Sequence, residues 1–184
     1  MTTTAADGGL HVAAMGPLID DAERTAGRIT RLALRPFATS QSAANLARAR
    51  CGVFHATDDV LLLARVVAGR LDAPPPTRPA EAVAGRVLTD ACQAWEFIVE
   101  SVDDSRERLE MAARVVAEHR GRPFLGFSRA AHAVVEAAIL VTRLRILDRG
   151  EIRGRIDDLR VLVEKTGGPR DREAFDLLEA AAAG

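Results

Sequence analysis

Aromatic side chains are scarce, at 4% of the chain, which leaves too little ring surface for platforms that stack nucleic-acid bases. Charge of one sign is also lacking. Basic and acidic residues number 25 and 26, and a net charge of −1 supplies no field to hold nucleic acid or an anionic membrane. Among the basic residues only Lys165 is a lysine; with so much alanine, that arginine bias points to a GC-rich genome rather than to a function. The two cysteines, Cys51 and Cys92, stand far apart with no CxxC or Cys/His spacing. Each reads as a buried free thiol in a presumed strand, which fits a reducing cytoplasm. No leader pattern and no apolar run of membrane length is present, so neither a membrane nor a nucleic acid is expected as partner. Nucleophile elbows, metal-ligand spacings and Gly-rich dinucleotide loops are missing too, so no metal site is expected. The four histidines (His11, His55, His119, His132) are scattered, with His11 expected to lie exposed beside a turn. The carboxylate pairs Asp20-Asp21, Asp58-Asp59, Asp103-Asp104 and Asp157-Asp158 all fall at caps, turns or exposed helix faces. Acid–base chemistry carried by the protein alone has little support, and an enzyme of this sequence would leave the hard step to a cofactor.

What is present suits one domain, or one domain with an appendage. Asp7-Gly8-Gly9 is a hairpin signal between a very short first strand and Leu10–Ala14, which Gly16-Pro17 ends. Asp20 to Gly27 reads as polar connection, and Arg28–Arg35 alternates as a strand with an irregular middle. Cys51–Ala56 is another β run, with Thr57-Asp58-Asp59 as a cap for a helix over 60–69 that is apolar nearly all round. Pro74-Pro75-Pro76 and Pro79 mark a stiff connector that cannot join a ladder. Trp95, Phe97 and Val99 oppose Glu96, Ile98 and Glu100; after an Asp103-Asp104-Ser105 turn, Leu109, Met111, Ala113, Val115 and Ala117 oppose Arg108, Glu110, Arg114 and Glu118. That pattern predicts a half-buried antiparallel pair. From Arg122-Pro123 the character changes. A helix over 128–147 carries Glu136 inside an apolar tract, either paired or on a solvated stripe. A second repeats Ile152, Ile156, Leu159 and Val163 on one face, and a short final helix turns Phe175 and Leu178 inward. The expected division is a β-rich domain over 1–125 and a helical extension over 126–184.

The stretch Arg35–Leu46 organises the rest. A β run ends in Arg35-Pro36, crosses the hydroxyl-rich turn Thr39-Ser40-Gln41-Ser42 and enters a short helix that Ser40 or Ser42 would cap. The first turn of that helix offers free N–H donors and the positive end of its dipole, and Arg35 with Thr39, Ser40 and Ser42 would suit a phosphate. The same residues also make an ordinary strand–turn–helix junction with a solvated arginine.

Leu10–Gly16, then Leu34-Arg35-Pro36-Phe37 with the Ser/Thr turn and Asn45-Leu46, then Gly52–Asp59, resemble in that order an FMN-binding split-barrel family. Its own function is unassigned, and it is related to flavin reductases and pyridoxamine-phosphate oxidases. Phe124–Ala130 leading into Ala133–Ala137, and Val163–Gly168, are similar to that family's helical extension. The resemblance implies an α+β fold, an antiparallel split β-barrel followed by a C-terminal helical subdomain. It implies a homodimer with FMN near the interface. Arg35, Thr39, Ser40 and Ser42 would hold the FMN phosphate, and Gln41 and Asn45 would reach the ribityl chain or the phosphate. Ala14, Met15 and Gly16 would lie by the ring system, with Phe127, Ser128 and Arg129 contributed by the tail. Two departures stand out: a fuller first strand is expected before Asp7, without which a barrel edge would be unpaired, and the family pattern has asparagine at Ser128 and lysine at Ala131. The implied activity is an FMN-dependent oxidoreductase acting on a small molecule. A flavin carrier or sensor, and a non-flavin dimer whose tail serves a partner protein, are the alternatives.

Overall fold

A computed structural model describes residues 1–184, and the chain forms two compact units. The first comprises Met1–Ala56 with Pro74–Pro123, the second Thr57–Ala73 with Phe124–Gly184. The helix over 60–67 therefore joins the helical unit, which a single division at 125/126 does not allow for. The reason is chemical: its apolar positions find a helical core to pack against, not a sheet.

The first unit is a six-stranded antiparallel sheet in the order β2-β1-β4-β7-β8-β3. Its strands are β1 (Thr2–Thr4), β2 (Leu10–Val12), β3 (Arg31–Leu34), β4 (Cys51–Ala56), β7 (Gln93–Asp103) and β8 (Glu110–Arg120). Leu18, six residues beyond β2, exchanges both backbone hydrogen bonds with Ala33 of β3, at 2.8 and 2.9 Å. The chain leaving one edge strand thus reaches the other edge strand, and the sheet curls into a split barrel. β1 is no unpaired edge. It pairs with β2 over Thr2–Thr4 and with β4 through Thr2↔Val53, so three residues suffice for an inner strand. Gly52 allows this approach, because a Cβ there would sit 3.0 Å from the Thr2 carbonyl oxygen and 2.9 Å from the Phe97 ring. Alternation holds in β3, where Leu32 and Leu34 are buried and Arg31 and Ala33 exposed. With Phe97, Val99, Met111 and Ala113 they form the barrel core, which Ala43 and Leu46 of helix α2 (Gln41–Ala49) join.

Four expectations about this unit need correction. Asp20–Gly27 is a helix, α1 (Asp21–Ala26), capped by Asp20 and stopped by Gly27 at φ 64°; six residues are too few to show a period in sequence. Pro79 does belong to a ladder. β5 (Thr77–Pro79) pairs with β6 (Arg86–Leu88), a two-stranded ribbon in which a proline at the strand end removes no needed donor. Glu96, placed on a solvent face by simple alternation, is 0% exposed. A register shift between Glu96 and Phe97 breaks the period of two there, and β5–β6 covers the face that Glu96 occupies. Cys92 lies just before β7 rather than in a strand, though both thiols are free and partly covered.

The second unit consists of α3 (Val60–Val67), α4 (Arg129–Thr142), α5 (Arg149–Thr166) and α6 (Pro169–Ala183). Asp59, Ser128 and Asp148 cap the first three through side-chain oxygens. Val60, Leu61 and Ala64 are buried, the other apolar positions are partly covered and Arg65 alone is exposed, so α3 is buried on most sides, as its composition predicts. Val134, Ile152, Ile156, Val163, Phe175 and Leu178 meet in this core, as the spacing predicts. α4 ends at Thr142, before the expected 147. Glu136 is exposed on it, which selects the solvated stripe. No helix is long and apolar enough to cross a membrane.

Candidate functional site

The junction between β3 and α2 carries most of the expected binding residues. Its turn is tied down from both sides. The Ala38 N–H donates to the Glu107 carbonyl (3.0 Å), the Leu109 N–H to the Pro36 carbonyl (3.0 Å), and the Arg108 guanidinium lies 3.8 Å from the Phe37 ring centre. Ser40 is the N-cap of α2: its hydroxyl oxygen accepts the Ala43 N–H at 3.1 Å and its carbonyl accepts the Ala44 N–H at 3.2 Å. Gln41 and Ser42, the first two helical residues, have no carbonyl one turn earlier within the helix, so their N–H groups and the positive dipole end face outward.

Around that turn the side chains divide. Arg35, Thr39 and Gln41 are exposed. Arg35 pairs with Glu110 at 3.3 Å, and such an exposed pair holds an arginine loosely enough for an anion to compete. Ser42 and Asn45 point inward. The Asn45 side chain, 1% exposed, donates from Nδ2 to Thr3 Oγ1 on β1 (3.0 Å) and accepts from Gln41 Nε2 (2.8 Å). Ser42 Oγ lies 3.2 Å from His11 Nε2 on β2. The structure thus brings Arg35, Thr39, Ser40, Gln41, Ser42 and Asn45 together at one helix end, where Arg35, Ser40, Gln41, Ser42 and Asn45 have partners in the protein.

His11 is the residue that simple reading of the sequence missed here. It is half-buried, not exposed beside a turn, and burial pulls its pKa below the ordinary imidazole value, so it is held neutral. Thr3 is the second, buried between β2 and β4 while binding Asn45. The signal was faint: a polar pair, His11 and Thr3, directly opposite in a hairpin whose one face meets a helix. Ala14 and Gly16 are exposed, and Met15 packs on the barrel core. A Cβ on Gly16 would meet nothing within 4 Å, so that backbone is open on one side.

Phe127, Ser128 and Arg129 belong to the helical unit. Phe127 is 87% exposed and packs edge-on against Phe124 with ring centres 5.8 Å apart. Ser128 caps α4 by accepting the Ala131 N–H (3.3 Å), so its oxygen already has a partner, and Arg129 is exposed in the first turn.

Comparison with known proteins bears on this arrangement. The fold is similar to that of an FMN-bound protein of Methanosarcina mazei assigned to the DUF447 family, with TM-score 0.80 and 17% identity, covering 98% of this chain and 92% of that one. The styrene monooxygenase flavin reductase of Pseudomonas putida S12 matches 66% of this chain and 78% of its own length, at TM-score 0.51 and 14% identity. An FMN-binding protein from Thermus thermophilus with bound p-hydroxybenzaldehyde matches 66% and 73%, at TM-score 0.50 and 18% identity. At these identities the likeness bears on the fold, an α+β split barrel with C-terminal helices. No curated protein sequence matches. Family models described as the N-terminal domain of a protein of unknown function (DUF447) and as protein of unknown function (DUF447) cover residues 1–122 and 128–180. Nearly every residue falls within those two models, and the chain belongs to the DUF447 family.

Proposed function

We propose that this protein binds FMN, with the flavin phosphate at the N-terminus of α2, and acts as an FMN-dependent oxidoreductase on a small-molecule substrate. The observation that carries the reading is the capped, outward-facing first turn of α2 beside an exposed arginine. The residues fit such a group: N–H donors of Gln41 and Ser42, the Thr39 hydroxyl and the Arg35 guanidinium all suit a phosphate dianion. Ser40 and Asn45 act one step back. Ser40 shapes the turn as its cap, and Asn45 fastens α2 to β1 through Thr3. His11 holds Ser42 in the same way from β2. The family's FMN-bound structure and the fold shared with a flavin reductase support flavin as the ligand. When bound, FMN supplies hydride or electron transfer, and the chain's own part is to grip, orient and shield it.

A homodimer with the flavin near its interface belongs to the same proposal. The test is binding of FMN and of riboflavin to the purified protein and to Arg35→Ala. A lost charge-assisted bond of about 1.5–3 kcal/mol corresponds to roughly 10- to 100-fold weaker FMN binding, with riboflavin affinity unchanged. Equal losses for both ligands refute the phosphate assignment. Reduction of the bound flavin by NADH or NADPH, followed by transfer to an acceptor, distinguishes an oxidoreductase from a carrier or sensor.

A further inference from the structure

Between α3 and β7 the chain makes an excursion over the barrel, and very little of what holds it there is ordinary packing or strand pairing. Its internal ladder, β5 with β6, is three residue pairs. Its apolar anchor is a small cluster in which Val87 meets Val53 and Ala94, with Ala80 and Val83 at the margin. The strongest hold comes from barrel side chains that grip its backbone. Glu96 Oε1 accepts the Glu81 N–H at 2.7 Å, and Oε2 accepts the Ala82 and Val83 N–H groups at 2.6 and 3.0 Å. His119 Nε2 donates to Oε1 at 2.6 Å. His55 Nε2 accepts the Leu88 N–H at 3.0 Å, and the Thr2 hydroxyl donates to the Arg86 carbonyl at 2.6 Å.

We propose that residues 77–91 are a strap closed over the barrel by the ionised carboxylate of Glu96, and that acid releases this strap as a unit while the β7–β8 sheet stays folded.

Three successive N–H groups converging on one point make an anion-binding concavity, and here its occupant is the protein's own carboxylate. Four donors saturate that carboxylate. A protonated carboxyl turns an O–H toward the same crowd of donors, and at least one N–H then loses its acceptor beside a carboxyl that is itself 0% exposed. Burial pushes the Glu96 carboxyl up, but the strap N–H groups and His119 outweigh it and hold it below the ordinary glutamate value. The sign follows. A depressed folded-state pKa gives stabilisation that is complete above the unfolded value and is lost as pH falls through the folded one.

The surrounding groups act in the same direction or lie farther off. His55 on β4 is pushed down to about 3, chiefly by burial, so it stays a neutral acceptor while the strap is shut and takes up a proton once the strap opens. Glu81 on the strap lies 3.6 Å from His119 Nδ1 and also 3.6 Å from Arg78. Cys51 on β4, whose thiol burial pushes up, donates to the Ala84 carbonyl of the strap at 3.9 Å.

Amide hydrogen exchange on the full-length protein between pH 7 and 2, expressed as protection factors, tests the proposal. In the unmodified protein, protection at Glu81, Ala82, Val83 and Leu88 falls at a pH where amides of Phe97 and Ala113 keep theirs. In Glu96→Gln, protection at 81–83 drops at least tenfold at pH 7 and that of the β7–β8 amides changes less than twofold. Unchanged protection at 81–83 in Glu96→Gln overturns the proposal. If that variant fails to fold, the acid series of the unmodified protein decides alone: strap and sheet amides losing protection together overturn it.

Discussion

The two units bury different chemistry. Every buried polar side chain of the protein, namely Thr2, Thr3, Ser42, Asn45, His55, Glu96 and His119, lies in the barrel unit, while the helical core is built of alanine, valine, leucine, isoleucine and one phenylalanine. Helices satisfy their own backbone groups, so their shared interior has no need of polar side chains. The barrel unit has a three-residue strand, a turn that enters a helix and a strap, and their backbone groups need side-chain partners. The half with the irregular backbone is also the half with the candidate phosphate site.

That contrast can be broken or sharpened by substitution, with unfolding in urea followed both by helical circular dichroism and by fluorescence of Trp95, the single tryptophan, in the barrel unit. Phe175→Ala, at a position 1% exposed in the helical core, is expected to cost about 3–5 kcal/mol and to shift the circular-dichroism transition far more than the fluorescence one. Coincident shifts in both signals would show the units to unfold as one. Asn45→Ala leaves the buried Thr3 hydroxyl without its partner and should cost about 1–3 kcal/mol, seen first in Trp95 fluorescence. Ser40→Ala removes a cap worth about 1 kcal/mol and should weaken FMN binding less than Arg35→Ala does. Glu136→Ala on the exposed side of α4 should stay within about 0.5 kcal/mol; a larger cost would reveal a partner for that carboxylate.

Legibility in the sequence followed the same line. The helical unit was readable because a period of 3.6 is purely local, and Ile152, Ile156, Val163, Phe175 and Leu178 face inward as spaced. The cap at Ser40 was readable too, since capping chemistry reaches only three residues along the chain. Glu96 was not, because its acceptors are paired with N–H groups some 15 residues away and a register shift hides the alternation that would mark its face. His11 and Thr3 owe their roles to α2, more than 30 residues on.

The amino-acid order by itself determined the hairpin at Asp7-Gly8-Gly9, the turn into α2, the β7–β8 pair and the helical tail, because each depends on residues close along the chain. Only the tertiary structure decided that α3 joins the tail, that Leu18 meets Ala33 to curl the sheet, and that Asn45 faces Thr3. Those arrangements pair groups distant in sequence, and burial and unmet hydrogen bonds select them only once the whole chain has come together.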